Sequence, residues 1–181
     1  MTEAKPATGA EESKDTKPAE PTDDLVTTSH SLGDLRYTAT TGRIVLRQEI
    51  TEDEKFNGLK PKAELSITAY TLDGAEHADR PVTFAFNGGP GSASVWLHLG
   101  TLGPRRVDAG DAGAMKPPPY RLVDNHESLL RHSDLVFIDP MSTGYSRAVN
   151  GEKAAPFHGY TGDVESVGEV IRLWTTRNNR W

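Results

Sequence analysis

The sequence predicts an α/β fold, in which helices pack on a sheet that is at least partly parallel. Residues 36–48 and 63–74 are rich in β-branched and aromatic side chains, which favours strands. Residues 82–86 and 135–138 are short, almost continuous apolar runs, typical of strands with both faces covered. Residues 163–177 repeat apolar side chains every three or four positions, as an amphipathic helix does. Strands followed by a helix in this order indicate an α/β sheet.

The first 31 residues are predicted to form a disordered leader, and residues 32–181 to form one domain. Residues 1–30 contain seven acidic residues, three lysines and three prolines, with Met1, Leu25 and Val26 as the large apolar side chains. So few apolar groups cannot offset the entropy cost of ordering the chain. The segment also lacks the apolar stretch of a secretory signal, so no signal peptide is evident and the compartment is left open.

Composition excludes several classes of function. The net charge of −6 at pH 7 argues against a general nucleic-acid binder, which needs a basic surface to displace phosphate counterions. No apolar run reaches the roughly 18 to 20 residues of a transmembrane helix, so no integral membrane segment is predicted. The chain has no cysteine, which excludes disulfides, thiolate metal sites and a cysteine nucleophile.

The first two strands are expected to pair as antiparallel neighbours. The second of them ends at Asp73-Gly74, a turn signal, and Gly42 interrupts the first where a turn or a bulge could lie. In the C-terminal helix, Asp163 is placed to cap the amino end, and Val164, Val167, Ile171 and Trp174 form the apolar face.

Residues 84–94, FAFNGGPGSAS, end an apolar run at Asn87 and continue with a cluster of glycine and proline. A phosphate-binding P-loop would need a lysine after the glycines, and a dinucleotide-binding loop would need glycines spaced G-x-G-x-x-G; neither is present. An ordinary turn, with Asn87 as an Asx-type turn residue, stays possible. The alternative is a loop whose backbone N–H groups approach a substrate oxygen, because ligands of open α/β sheets bind at the carboxyl ends of strands.

The chain resembles the serine carboxypeptidases of peptidase family S10, which have the α/β-hydrolase fold. Residues 87–92 match the family's N-G-G-P-G-S signature. Residues 132–148, HSDLVFIDPMSTGYSRA, are similar to its later strand and loop, with Asp139, Gly144, Tyr145 and Ser146 matched. Residues 163–174 resemble the helix that precedes the nucleophile strand. The resemblance therefore implies an incomplete α/β-hydrolase fold: antiparallel N-terminal strands, the oxyanion-loop strand, the next parallel strand and the following helix.

The resemblance also implies roles for residues of the glycine loop. The backbone N–H of Gly89 would be one oxyanion-hole donor, supported by Gly88, and the side chain of Asn87 would bind the C-terminal carboxylate of a peptide substrate. Tyr145 would lie near the substrate pocket. Asp139 precedes any nucleophile, which is the wrong order for a triad acid in this fold, and is interpreted as a residue that fixes the loop by accepting backbone N–H bonds.

The catalytic triad is not predicted within the sequence. No G-x-S-x-G elbow occurs, and the nearest approximation, around Ser166, has a valine at the first glycine position and is interpreted as helix surface. The resemblance places the serine, the acid and the histidine beyond Trp181, so the chain by itself is expected to be inactive. The sequence around each of the six histidines shows no metal-binding motif, and neither a metal nor an organic cofactor is predicted.

The predicted function is release of C-terminal amino acids from peptides through a serine acyl-enzyme. The predicted partners are peptides with a free C-terminus, and the oligomeric state is left open. An aminopeptidase or esterase of the same fold is one alternative, and a noncatalytic binding module that keeps the sheet and the loop is another.

Overall fold

A mixed sheet dominates the computed structural model of the chain, which describes residues 20–76, 79–88, 91–111 and 114–181. Its strands are β1 (Val26–Leu32), β2 (Leu35–Glu52), β3 (Lys55–Leu72), β4 (Val82–Ala85), β9 (Asp134–Ile138) and β10 (Arg147–Ala148). Their order in the sheet is β1-β2-β3-β9-β4, and β10 pairs with a further part of β3.

Short elements occupy the chain between β4 and β9. The regular structure of this segment, in the described residues, consists of small pieces. They are β5 (Arg105–Val107) paired with β8 (Leu122–Asp124), β6 (Gly110–Asp111) paired with β7 (Ala114–Met115), the helix α1 (Val95–Leu97), which continues as a π-helical turn (His98–Leu102), and a 3₁₀ turn (Leu129–Arg131). Another 3₁₀ turn (Ala155–Phe157) precedes the long helix α2 (Tyr160–Arg177).

The predicted antiparallel pair is present as the β2–β3 hairpin, but Gly42 neither turns nor bulges the chain. Gly42 pairs in register with Ile67, and its φ of 146° lies where glycine is favoured. A Cβ added there would lie 2.4 Å from the carbonyl oxygen of Asp24, so glycine leaves room for the incoming backbone. The ladder shifts instead between Leu46 and Arg47, opposite Pro61, which has no N–H to donate to the neighbouring strand.

The predicted boundary of the disordered leader is wrong for residues 26–31, which belong to β1. All of β1 pairs with β2, from Val26 opposite Thr41 to Leu32 opposite Leu35, and Leu32 is fully buried. Just before β1, Asp24 accepts hydrogen bonds from the Arg43 guanidinium. Backbone hydrogen bonds to β2 order this segment, which has too few apolar side chains to be ordered by burial alone. Residues 20–25 of the predicted leader are described and form neither helix nor strand, and residues 1–19 lie outside the described residues.

The two apolar runs form a parallel pair, but their burial differs. β9 lies between β3, to which it is antiparallel, and β4, to which it is parallel, and every residue of β9 is buried. In the described part of the chain β4 is the edge strand, with one buried and three half-buried residues, and Phe86 after it is 47% exposed. Coverage of both faces is therefore confirmed for residues 135–138 and wrong for residues 82–86.

Helix α2 covers one face of the sheet. Its buried side chains Val167, Val170 and Trp174 pack against residues of β2, β3 and β9, and the Trp174 ring meets the Phe84 ring edge-on at 5.6 Å. The opposite face carries a second cluster with Tyr37, Tyr70 and Phe137, against which α1 and the π-helical turn pack. The result is an α/β arrangement with helical segments on both faces of a mixed sheet.

The start of α2 differs from the prediction. The helix begins at Tyr160 with Gly159 as N-cap, so Asp163 is not the cap. Asp163 lies in the first turn, where its negative charge interacts favourably with the positive end of the helix dipole. Val164 is 58% exposed and does not belong to the apolar face, whereas Val170, which the periodicity analysis left out, is fully buried. Ser166 lies in the helix as expected but is buried, with its hydroxyl donating to the Asp163 carbonyl at 3.1 Å.

Helices in the described ranges are all too short or too polar to cross a bilayer.

Candidate active-site loop

The glycine loop begins directly after β4, and the structure places part of it. Asn87 is half-buried and Gly88 is exposed, whereas Gly89 and Pro90 lie outside the described residues, so the predicted oxyanion donor, the Gly89 N–H, lies outside them too. The backbone N–H of Asn87 donates to Ser94 Oγ at 3.3 Å. The Asn87 side-chain amide donates to the Gly88 carbonyl at 3.3 Å in an exposed position. This bond is long and local, and it lies at the solvent boundary.

Ser94 joins the carboxyl ends of the two parallel strands, and sequence reasoning missed it. Its side chain is 2% exposed, its backbone N–H donates to Asp139 Oδ1 at 2.8 Å, and its hydroxyl donates to the Ile138 carbonyl. The same hydroxyl oxygen accepts the Asn87 N–H. Asn87 follows β4 and Asp139 follows β9, so Ser94 fixes the two loop starts relative to each other. A small polar residue at the far end of a glycine loop was the available signal.

Asp139 fixes the loop as predicted, by accepting a backbone N–H. Its second carboxylate oxygen lies against the backbone of Gly144, where an added Cβ would be 1.9 Å from Asp139 Oδ2. Gly144 also has a φ of 46°, in the left-handed region. Both observations explain why glycine is needed five residues after the aspartate.

Ser146 closes the same turn onto β3. It is fully buried, accepts the Ser66 backbone N–H at 2.8 Å and donates to the Asp139 carbonyl at 2.7 Å. Its neighbour Tyr145 points outward and is 79% exposed. The motif of residues 139–146 is thus a rigid turn that presents one aromatic side chain.

A small cavity of about 170 Å³ lies beside this turn. Tyr145 borders it, as do Ser94, Asp139 and His98, and threonine hydroxyls of β2 and β3 complete one wall. Asn87 and Gly88 do not line it. The structure therefore brings Tyr145 close to the network that supports Asn87, but it does not bring the two side chains into one pocket.

His98 is the second residue that sequence reasoning missed. Its Nε2 is 2.6 Å from the Tyr70 hydroxyl, and its ring stacks on Phe137 with centroids 4.6 Å apart. Burial lowers the pKa of His98 to about 4 and raises the pKa of Tyr70 to about 12. Both groups are therefore neutral near pH 7, and the bond between them joins the π-helical turn to β3.

No cluster of three or more histidine, cysteine, aspartate or glutamate side chains suited to a metal ion occurs in the part of the chain that the structure describes.

Comparison with known proteins decides the family. The sequence model of the serine carboxypeptidase family, peptidase S10, matches residues 69–178, which include the glycine loop, the residue 139–146 turn and α2. The chain belongs to the serine carboxypeptidase family. This family consists of hydrolytic peptidases, so proteolysis by a carboxypeptidase is the activity class at family level.

Among solved structures, the chain is similar to Kex1(Δ)p, a prohormone-processing carboxypeptidase from Saccharomyces cerevisiae, with 31% sequence identity and a TM-score of 0.45. The match covers 61% of this chain and 20% of the yeast protein, so the chain spans about a fifth of that carboxypeptidase. The search of curated protein sequences gave no significant match.

Proposed function

We propose that this segment supplies the oxyanion loop and the carboxylate-binding asparagine of a serine carboxypeptidase with the α/β-hydrolase fold. The observation that carries the proposal is the family match over both loops that follow the parallel strands β4 and β9. Ligands of open α/β sheets bind at the carboxyl ends of such strands. Asn87 and Asp139 follow those ends, and the hydrogen bonds of Ser94 tie them together.

In the proposed reaction, Asn87 donates its side-chain amide to the α-carboxylate of the substrate's last residue. The backbone N–H of Gly89, supported by Gly88, donates to the oxyanion that forms when a serine attacks the scissile carbonyl. Such donors contribute roughly 3 to 4 kcal/mol each to transition-state stabilisation in comparable enzymes. Tyr145 is proposed as a wall of the substrate pocket. Free C-terminal peptides are the proposed substrates, and no cofactor takes part in this mechanism.

The test of the carboxylate role is Asn87→Ala, made in an active enzyme that carries this segment together with a catalytic serine. We expect kcat/KM for peptides with a free C-terminus to fall roughly ten- to a hundredfold, since a hydrogen bond to a charged group is worth about 1.5 to 3 kcal/mol. C-terminally amidated peptides and esters lack the charge and should lose much less. Asn57→Ala, on the exposed tip of the β2–β3 hairpin, is the matched control and should leave both rates unchanged.

Equal losses for the free-acid and amidated substrates would contradict the carboxylate role and leave Asn87 as a turn residue. They would also favour the same-fold esterase or aminopeptidase. No effect on either substrate would favour a noncatalytic binding module.

The nucleophile is proposed to come from outside these 181 residues. We therefore expect the chain alone to show no peptidase activity and no labelling by a fluorophosphonate, which reacts with activated serines. Ser94, Ser146 and Ser166 are buried and hydrogen-bonded to backbone groups, which supports this expectation. Mass spectrometry of the labelled chain is the measurement.

The most informative contrary result would be a label on Ser142. This exposed residue has a φ of 65° and its Oγ lies 2.9 Å from His158 Nε2, an arrangement in which a histidine could activate a serine. Labelling there would place the nucleophile inside the chain and overturn the proposal.

A further inference from the structure

His98 lies one helical turn after Ser94, at the point where α1 becomes π-helical. Its backbone N–H donates to the Ser94 carbonyl at 2.9 Å, and its own carbonyl accepts the Gly103 N–H at 2.9 Å. The imidazole contacts β3 through Tyr70 and β9 through Phe137. The His98 side chain thus attaches the segment from Ser94 to Gly103 to two strands of the sheet, together with Leu97 and Leu102, which pack on the same cluster.

We propose that His98 is a positioning residue: its neutral imidazole holds the segment from Ser94 to Gly103 on the sheet, and protonation of the ring releases this segment. Ser94 also accepts the Asn87 N–H, and that Asn87 binds substrate rests on the proposed function. The release itself does not, because it concerns only the contacts of His98 with β3 and β9.

We call the segment docked when His98 lies against Tyr70 and Phe137. The groups around His98 determine how strongly this docked state disfavours protonation of the imidazole. Within α1 and the π-helical turn, residues 95–102, His98 is the sole ionisable side chain. Tyr70 contacts the ring directly, and its hydroxyl stays neutral and cannot balance an imidazolium. The Asp139 carboxylate borders the same cavity and would favour protonation, but it already accepts the Ser94 N–H. The remaining neighbours are Tyr145 at the cavity, Tyr37 behind Tyr70, and the exposed cations Arg105 and Arg106 on β5.

The direction of the pH effect follows from the two states. In the docked state the pKa of His98 is about 4, against 6.5 for a solvated histidine, because burial disfavours the charged ring. Between these values the released state binds more protons than the docked state. Release is therefore favoured progressively as the pH falls from 6.5 towards 4, and it is least favoured above pH 6.5.

Hydrogen exchange of the 181-residue chain from pH 7 to pH 4, corrected for intrinsic rates, tests the proposal. The amides of Leu97, His98 and Gly103 report on the segment because each is hydrogen-bonded within it. We expect their opening equilibrium to rise on the order of a hundredfold over this range. Amides of residues 44–46 and 63–65, a part of the β2–β3 hairpin that packs against α2 on the other face of the sheet, are the internal reference and should change far less. Equal responses of the segment and the hairpin would mean global unfolding and would overturn the proposal, as would a segment with no pH response.

Variants separate His98 from other titrating groups. His98→Gln keeps a polar side chain but cannot be protonated, so the segment should lose its pH response; His132→Gln, at an exposed histidine, should keep it. Tyr70→Phe retains the ring against Phe137 and removes the hydroxyl, and it should raise opening about fivefold at pH 7, as expected for one neutral hydrogen bond. An unchanged pH response in His98→Gln would overturn the proposal. None of these readouts depends on the role of Asn87, so a failed carboxylate assignment would leave this result interpretable.

Discussion

Replacement of Asp134 by alanine is expected to lower the free energy of unfolding by about 3 to 5 kcal/mol, because it leaves buried cations without their partner. Asp134 is fully buried at the start of β9. Its carboxylate accepts the Arg80 Nε–H at 2.8 Å, the Arg180 Nη1–H at 2.6 Å and the Leu72 backbone N–H at 3.0 Å. The Arg180 side chain is itself only 3% exposed, so water cannot replace the lost carboxylate without local opening.

Urea unfolding monitored by circular dichroism measures this loss, and Glu169→Gln provides the control. Glu169 pairs with Arg172 at 2.6 Å on the surface of α2, where both side chains are at least one-third exposed. Exposed pairs contribute about 0 to 1 kcal/mol, so this variant should unfold close to the parent chain. A loss below about 1 kcal/mol for Asp134→Ala would contradict the buried-pair argument.

Two glycines in α2 are expected to respond to alanine with opposite signs. A Cβ at Gly162 would lie 2.2 Å from the carbonyl oxygen of Pro156 and 2.9 Å from the Cα of Phe157. Both are backbone atoms, so no rotamer change relieves the overlap, and the helix must move away from the 3₁₀ turn that precedes it. Overpacking costs about 1 to 3 kcal/mol, occasionally more, and we expect a net loss of about 2 to 3 kcal/mol for Gly162→Ala.

Gly168→Ala is the matched control within the same helix. Gly168 is exposed and an added Cβ would meet no atom within 4 Å, so the higher helix propensity of alanine should raise stability by up to about 1 kcal/mol. Urea or thermal unfolding of both variants gives the comparison, with an expected difference of about 2 to 4 kcal/mol. If both substitutions stabilise the chain, the overlap argument is wrong, because α2 would then move away from residues 156–157 without loss of free energy of unfolding.

Local patterns in the sequence were sufficient to predict the strands and the helix whose side chains are buried by neighbouring elements. The apolar run 135–138 predicts a fully buried strand because a central strand of a mixed sheet has no solvent face, and β9 is such a strand. The two loop motifs resemble those of the serine carboxypeptidase family, and the match of the family model over residues 69–178 confirms that resemblance. The role of Asp139 as an acceptor of backbone N–H bonds is expected from its position after a buried strand and is confirmed.

Patterns also failed at particular residues, and in two cases a distant partner decided the outcome. β1 has too few apolar side chains to predict a strand, and its order comes from pairing with β2. Gly42 accommodates the backbone of Asp24, a contact between residues that are far apart along the chain. The start of α2 was placed too late, at Asp163, because its first turn is exposed and carries almost no periodic apolar signal; the observed N-cap is Gly159.

The sequence by itself determined the class of fold, the paired strands, the buried strand β9 and the C-terminal helix, because propensity and hydrophobic period act over a few residues. Its two loop motifs carried the resemblance to the family that the family model matches. Only the tertiary structure decided that β4 lies at the edge of the described sheet, that Ser94 joins the ends of β4 and β9, and that His98 is held between Tyr70 and Phe137. Buried hydrogen bonds of this kind join residues that lie up to 80 positions apart. Their energies depend on which strands the fold places side by side, and no local pattern carries that information.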